Sequence, residues 1–146
     1  MSMCKKGIGV MSELLSCKFV KEKIDGLIKI SSKNKEEFIF QYRKALEQTK
    51  GTSGVVYIFR SKCQFPRLKG SNNILYVGET KHDAWSRYTV KNDANVYWHV
   101  YSHVLDIYGS ITIDVYVTSD HKSTEKTFLN QYFQAHKELP PINRKG

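Results

Sequence analysis

The five residues Val55-Val56-Tyr57-Ile58-Phe59 constrain this chain more than any other feature. β-Branched and aromatic side chains in a continuous apolar run favour a strand. A second, shorter run, Ile74-Leu75-Tyr76-Val77, closes at Gly78. Between them, Ser61 to Asn73 is polar and rich in Lys, Arg, Asn and Gly, which reads as a loop longer than most hairpin connections. Two apolar runs joined in this way predict an antiparallel pair.

Further along, Ile111, Ile113, Val115 and Val117 alternate with Thr112, Asp114 and Tyr116, the pattern of a half-buried strand. Helices are expected around it. Asp83 to Lys91 is short and polar. Ala94 to Tyr108 sets Val96, Val100, Val104 and Ile107 on one face, with Gly109 as a stop. A last helix is expected over Thr124 to Lys137, capped by Ser123 and ended before Pro140-Pro141. The order β-β-α-α-β-α predicts an α+β domain: a small, mainly antiparallel three-stranded central sheet flanked by helices.

Residues 1–50 read as an N-terminal extension ahead of a domain spanning 51–146. Asp25-Gly26 gives a hairpin signal between Leu14 and Ile30. Asn34 followed by Glu37 forms a capping box for a helix bearing Phe38, Ile39, Tyr42, Ala45 and Leu46, which ends near Thr49 before Gly51.

Composition narrows the partners. A chain of 146 residues makes one ordinary domain. Lys and Arg number 23 against 14 Asp and Glu, a net charge of +9 divided as +5 over residues 1–50 and +4 over the rest. Spread positive charge beside nine Tyr and seven Phe suits a polyanion such as nucleic acid, and equally a soluble basic surface. The densest acid-free stretch is Arg60, Lys62, Arg67 and Lys69, making these the first candidates for DNA contact. No apolar run approaches the roughly 20 residues that span a bilayer. The stretch behind Lys5 and Lys6 lacks the apolar core of a secretory signal. Cys4, Cys17 and Cys63 form no C-x-x-C, so three reduced thiols of a cytoplasmic protein are expected.

Gly54-Val-Val-Tyr57 followed by Tyr76-Val-Gly78 resembles the paired tripeptides of the GIY-YIG nucleases. The likeness continues through Arg87, Glu125 and the ending Pro140-Pro141-Ile142-Asn143, and covers the chain from Gly54 onward. Gly54 stands one residue earlier than the family's glycine, and Lys91 stands where the family often has His. The resemblance implies a GIY-YIG-like fold and a metal-dependent DNA endonuclease hydrolysing phosphodiester bonds, with Mg²⁺ (or Mn²⁺) as cofactor. It makes Tyr57 the general base and Tyr76 a hydrogen-bonding partner of phosphate or water. Arg87 stabilises transition-state charge, Glu125 is the metal ligand, and Asn143 is a tether beside the site. Because the chain ends at Gly146, a stand-alone restriction-like or phage-type member is expected. Cutting both strands with one site per chain favours a homodimer.

The chemistry agrees with those residue types. A carboxylate such as Glu125 suits a hard divalent cation that keeps several waters. A phenol titrating near 10 becomes a base at neutral pH only beside cations, here Arg87 and Lys91. A guanidinium fork pairs with phosphate oxygens. Gly78, His82 and Lys91 complete the expected DNA contacts. Each residue also has a plain structural reading: Tyr57 and Tyr76 as core tyrosines, Arg87 and Glu125 as solvated helix residues, Asn143 as a turn residue, Glu79 as a surface residue or second ligand. Two rival functions follow. One is a non-catalytic nucleic-acid-binding domain of the same fold. The other is a zinc hydrolase on His99, His103 and Asp106, whose i,i+4 spacing lacks the glutamate of H-E-x-x-H.

Overall fold

The computed structural model describes residues 16–24, 29–47, 51, 54–81 and 98–143. Their elements, in chain order, are β1 (Val20–Ile24), α1 (Lys35–Glu47), β2 (Val55–Pro66), β3 (Ser71–Thr80), α2 (Trp98–Ile107), β4 (Ile111–Thr118) and α3 (His121–His136). The four strands make one antiparallel sheet in the order β1-β4-β2-β3. The class is α+β, as the element pattern predicts, but the sheet has four strands rather than three.

The extra strand comes from the segment ahead of α1. Val20 pairs with Thr118 and Ile24 with Val115, and Ile30 adds an isolated bridge to Ile111. Its sequence, Val-Lys-Glu-Lys-Ile, carries three exposed charged residues. A short charged strand at a sheet edge buries little, so it shows almost no apolar pattern. Residues 25 and 26, with the expected hairpin turn, lie outside the described residues.

The polar stretch between the two apolar runs is strand, not loop. β2 continues to Pro66 and β3 begins at Ser71, leaving a tight turn in which the Arg67 amide donates to the Gly70 carbonyl at 2.9 Å. Gly70 has φ +72, which a glycine adopts without steric cost. Polar side chains sit comfortably in these strands because they satisfy one another. Arg60 donates to Asn73 Oδ1 at 3.0 Å, and Asn73 Nδ2 donates to the Ser61 carbonyl at 3.0 Å.

Helices cover both faces of the sheet. On one, Phe38, Tyr42, Ala45 and Leu46 of α1 and Tyr101, Val104 and Leu105 of α2 meet Val55, Tyr57 and Phe59 of β2. On the other, Phe128 and Tyr132 of α3 meet Val56, Ile58, Ile74, Val77 and Tyr116. Successive residues of β2 thus enter different cores, which is why its apolar run is continuous. β4, expected to be half-buried, is buried on both faces for the same reason, lying between β1 and β2. Residues 20–24 and 29–47 of the extension therefore share the sheet and the α1–α2 core with the rest of the chain.

Capping differs in detail from expectation. Asn34 Oδ1 accepts from the Glu37 amide at 3.1 Å, but the Asn34 amide donates to Ser32 Oγ at 3.1 Å, not to Glu37. α3 is capped by Asp120 rather than Ser123: its carboxylate accepts from the Ser123 amide at 3.0 Å and from Ser123 Oγ at 2.8 Å. The helix accordingly begins three residues earlier, at His121. Cys63 is disulfide-bonded rather than reduced, a pairing that residue spacing does not reveal. Among the described residues, no helix is long and apolar enough to cross a membrane.

Candidate functional site

A surface groove of about 890 Å³ lies where α3 meets the β3 edge and the C-terminal segment. Its walls include Glu79 from β3, Lys122, Glu125 and Lys126 from α3, and Asn143. Each arrives for a local reason. Glu79 is the register partner of Val56, whose side chain belongs to the α3 core, so Glu79 is carried toward α3. Glu125 stands one turn after His121 on α3. His121 Nδ1 meets the Glu79 carboxylate, joining α3 to β3 at the rim of the groove. The start of α3 thus brings in His121, which the expected Ser123 cap left off the helix.

Asn143 behaves as one more unit of sheet. The Val77 amide donates to Asn143 Oδ1 at 2.9 Å, and Asn143 Nδ2 donates to the Val77 carbonyl at 2.8 Å. Beside it, the Ile142 amide donates to the Leu75 carbonyl at 2.9 Å. A side-chain amide has the donor and acceptor of a peptide group, so it satisfies an edge-strand residue that would otherwise need water. Asn143 therefore fastens the C-terminal segment along β3.

The two tyrosines stand on the other side of β3. Tyr57 is fully buried, in the α1–α2 core with Phe59, and Tyr76 packs at its margin with its ring 6.1 Å from that of Tyr57. The Tyr57 ring crosses its register partner Gly78, and its hydroxyl donates to the Glu79 carbonyl at 3.5 Å. One peptide unit, Gly78–Glu79, therefore touches the phenol on one face and presents a carboxylate to the groove on the other. Arg87, His82 and Lys91 lie outside the described residues.

The basic residues expected in a DNA-binding loop have divided roles. Arg60 Nε donates to Asp114 Oδ2 at 2.9 Å, with side-chain exposures of 12% and 9%, so this pair is an internal brace between β2 and β4. Arg67 Nη2 donates to the Leu139 carbonyl at 2.6 Å and pairs with Glu138 at 3.0 Å. Its guanidinium lies over the rings of Phe65 and Tyr132. Glu138 also accepts from the Leu68 amide at 2.6 Å. The hairpin tip is thus bolted to the end of α3. Lys62 and Lys69 stay exposed. His136, buried nearby, contacts the Lys69 carbonyl through Nδ1 at 2.8 Å and Asn72 Nδ2 through Nε2 at 2.9 Å. Because the Asn72 side-chain oxygen accepts from the Ile74 amide, its Nδ2 faces the ring as a donor, so Nε2 accepts and Nδ1 donates to the Lys69 carbonyl.

Among the described residues, Asp120 and Tyr132 carry shifted titration. Hydrogen bonds from the Ser123 amide and hydroxyl lower the Asp120 carboxyl below its usual value. Burial raises the Tyr132 phenol, against a smaller opposing effect of Arg67.

No family model, curated protein or solved structure matches this chain.

The groove's oxygen donors suit a hard cation. Among the described residues no group of three or more His, Cys, Asp or Glu side chains is gathered to hold a metal, and this includes His99, His103 and Asp106. Asp106 instead pairs with Lys33 at 3.4 Å on the surface. A cation at Glu125 would draw its remaining ligands from water and substrate, a coordination that Mg²⁺ accepts readily.

Proposed function

We propose that the chain is a metal-dependent DNA endonuclease of the GIY-YIG type. The observation that carries this reading is the convergence of Glu125, Asn143 and the Gly78–Glu79 unit on one groove, flanked by Lys122 and Lys126. Glu125 would hold a Mg²⁺ or Mn²⁺ ion, which when bound polarises a phosphate and neutralises charge on a leaving oxygen. Lys122 and Lys126 attract the phosphate backbone into the groove. Asn143 holds the β3 edge in place, and the Glu79–His121 contact keeps α3 against that edge. A base role for Tyr57 requires its hydroxyl to leave the 3.5 Å bond to the Glu79 carbonyl and meet a water.

The test is cleavage of supercoiled plasmid and of single-stranded circular DNA with and without Mg²⁺, for the natural chain and for Glu125→Gln. Mg²⁺-dependent cutting that falls by about 10³-fold in the variant, with DNA binding kept, supports the reading; the size is that of losing one strong transition-state contact. Retained DNA binding with no cutting of plasmid or of single-stranded circular DNA by the natural chain supports the rival, a non-catalytic nucleic-acid-binding domain. Undiminished cutting by Glu125→Gln overturns the metal assignment.

A further inference from the structure

The groove extends well beyond the position of Glu125. From Lys122 to Phe133 its α3 wall runs twelve residues, about 16 Å at the helical rise. Its chemistry changes along that length. Lys122 and Lys126 stand one turn apart, and Asn130 and then Phe133 continue the same stripe. The other two aromatic residues of α3, Phe128 and Tyr132, are buried in the core, whereas Phe133 keeps 45% of its surface exposed. It stands at the groove's far end with Leu129 and Leu139.

Cations followed by an exposed ring match the requirements of an unpaired strand. Phosphates take the ammonium groups and a base face takes the ring, since every base has a π-face to offer. A duplex keeps its base faces stacked inside and would leave Phe133 in water. Two carboxylates, Glu79 and Glu125, share the groove with the two lysines. Glu79 is already met by His121, and Arg60 and Arg67, the most conspicuous cations of the hairpin, are committed to internal pairs.

We infer that this groove takes a single-stranded DNA segment, with phosphates along Lys122 and Lys126 and one base stacked on Phe133. This deepens the nuclease reading by naming its substrate class, and rests on it only for placing the reacting phosphate near Glu125.

Binding separates the two. Fluorescence anisotropy with a labelled strand of about 12 nucleotides, a usual site size, and with its duplex, is measured in EDTA so that no cutting occurs. The natural chain should hold the single strand more tightly. Phe133→Ala should weaken that binding about 5- to 100-fold, the worth of one stacked base, and Phe133→Trp should retain it. Duplex affinity should not respond to either change. Replacing Lys122 and Lys126 by Gln should flatten the salt dependence by about 1.4, at roughly 0.7 per phosphate contact on a single strand. A natural chain that prefers duplex, or a Phe133→Ala variant that binds the single strand normally, overturns the inference. If the single strand binds through Phe133 but Mg²⁺ brings no cutting, the groove assignment stands and the nuclease reading falls. Duplex cutting that Phe133→Ala leaves intact, with no single-strand binding, has the opposite meaning.

Discussion

The ring of Tyr57 lies so close over Gly78 that a Cβ on the glycine would sit 2.3 Å from Tyr57 Cε2 and 2.6 Å from its hydroxyl oxygen. That ring is fully buried and flanked by Phe59 and Tyr76, so it has little room to yield. Gly78→Ala should therefore destabilise the fold by about 1–3 kcal/mol, the usual cost of overpacking. Urea unfolding measures it. A second substitution, Tyr57→Ala, should remove the clash, so the double variant should lose much less than the sum of the two single losses. Strict additivity would mean that the ring does not oppose the Cβ.

Tyr57→Phe asks a separate question. The ring stays and the long 3.5 Å hydrogen bond to the Glu79 carbonyl goes, so stability should change by about 1 kcal/mol or less. If the hydroxyl serves as base, cleavage should fall about 10²- to 10⁴-fold. An unaltered rate and pH profile would leave Tyr57 as the residue that seats the Gly78–Glu79 backbone.

Arg60 and Asp114 form a brace with little solvent access. Asp114→Ala takes the carboxylate from a little-exposed guanidinium and leaves it the neutral Asn73 oxygen, so it should cost about 3–5 kcal/mol. Replacing both by Met and Leu should cost much less. This bears on any attempt to map DNA contacts by neutralising the hairpin. Arg60→Gln should lower the melting temperature, whereas Lys62→Gln and Lys69→Gln, both exposed, should leave it nearly unchanged.

His136 joins the hairpin to α3 through Asn72 and the Lys69 carbonyl. His136→Leu orphans the buried Asn72 Nδ2, at about 1–3 kcal/mol, and leaves the part-buried Lys69 carbonyl to water. The loss should appear in chemical denaturation. Hydrogen exchange should quicken first at residues 67–72, since that turn is the part His136 holds.

Stability should decline at both ends of the pH scale. The Asp120 carboxyl is lowered in the folded state, so its contribution is present above its ordinary value of 3.8 and is lost as pH falls through the lower folded value. Asp120→Ala should therefore lower the melting temperature at pH 6, and the gap from the natural chain should close as pH approaches 2. Tyr132 has the reverse sign. Burial raises its folded value above 10.0, so above that pH the unfolded chain ionises while the folded one does not. Tyr132→Phe should remove part of the alkaline loss. A pH-independent gap for Asp120→Ala would mean that the cap does not depend on its charge.

Residue order along the chain is enough to mark which segments can be buried. Val55 to Phe59, Ile74 to Val77 and Ile111 to Val117 all lie in strands, and Phe38, Tyr42, Ala45 and Leu46 all turn inward from one helix. Those features are local: apolar spacing and β-branching act within a few residues of one another. Glu125 and Asn143 were marked only through the resemblance to the GIY-YIG nucleases, not by periodicity; both border the groove. The remaining features depend on contacts between segments distant in the chain. Val20 to Ile24 is a strand only because β4, nearly a hundred residues on, offers it an edge. The Ser61 to Asn73 stretch extends the hairpin because Asp114 and His136 satisfy polar groups that would otherwise need water. Arg60 and Arg67 became internal supports through Asp114 and Glu138, whose positions local periodicity does not specify. The same holds for the separation of Tyr57 from Glu125. Alternation along β2 and β3 sends neighbouring side chains to opposite cores, and only the docking of α3 on one of them determines which residues share a groove.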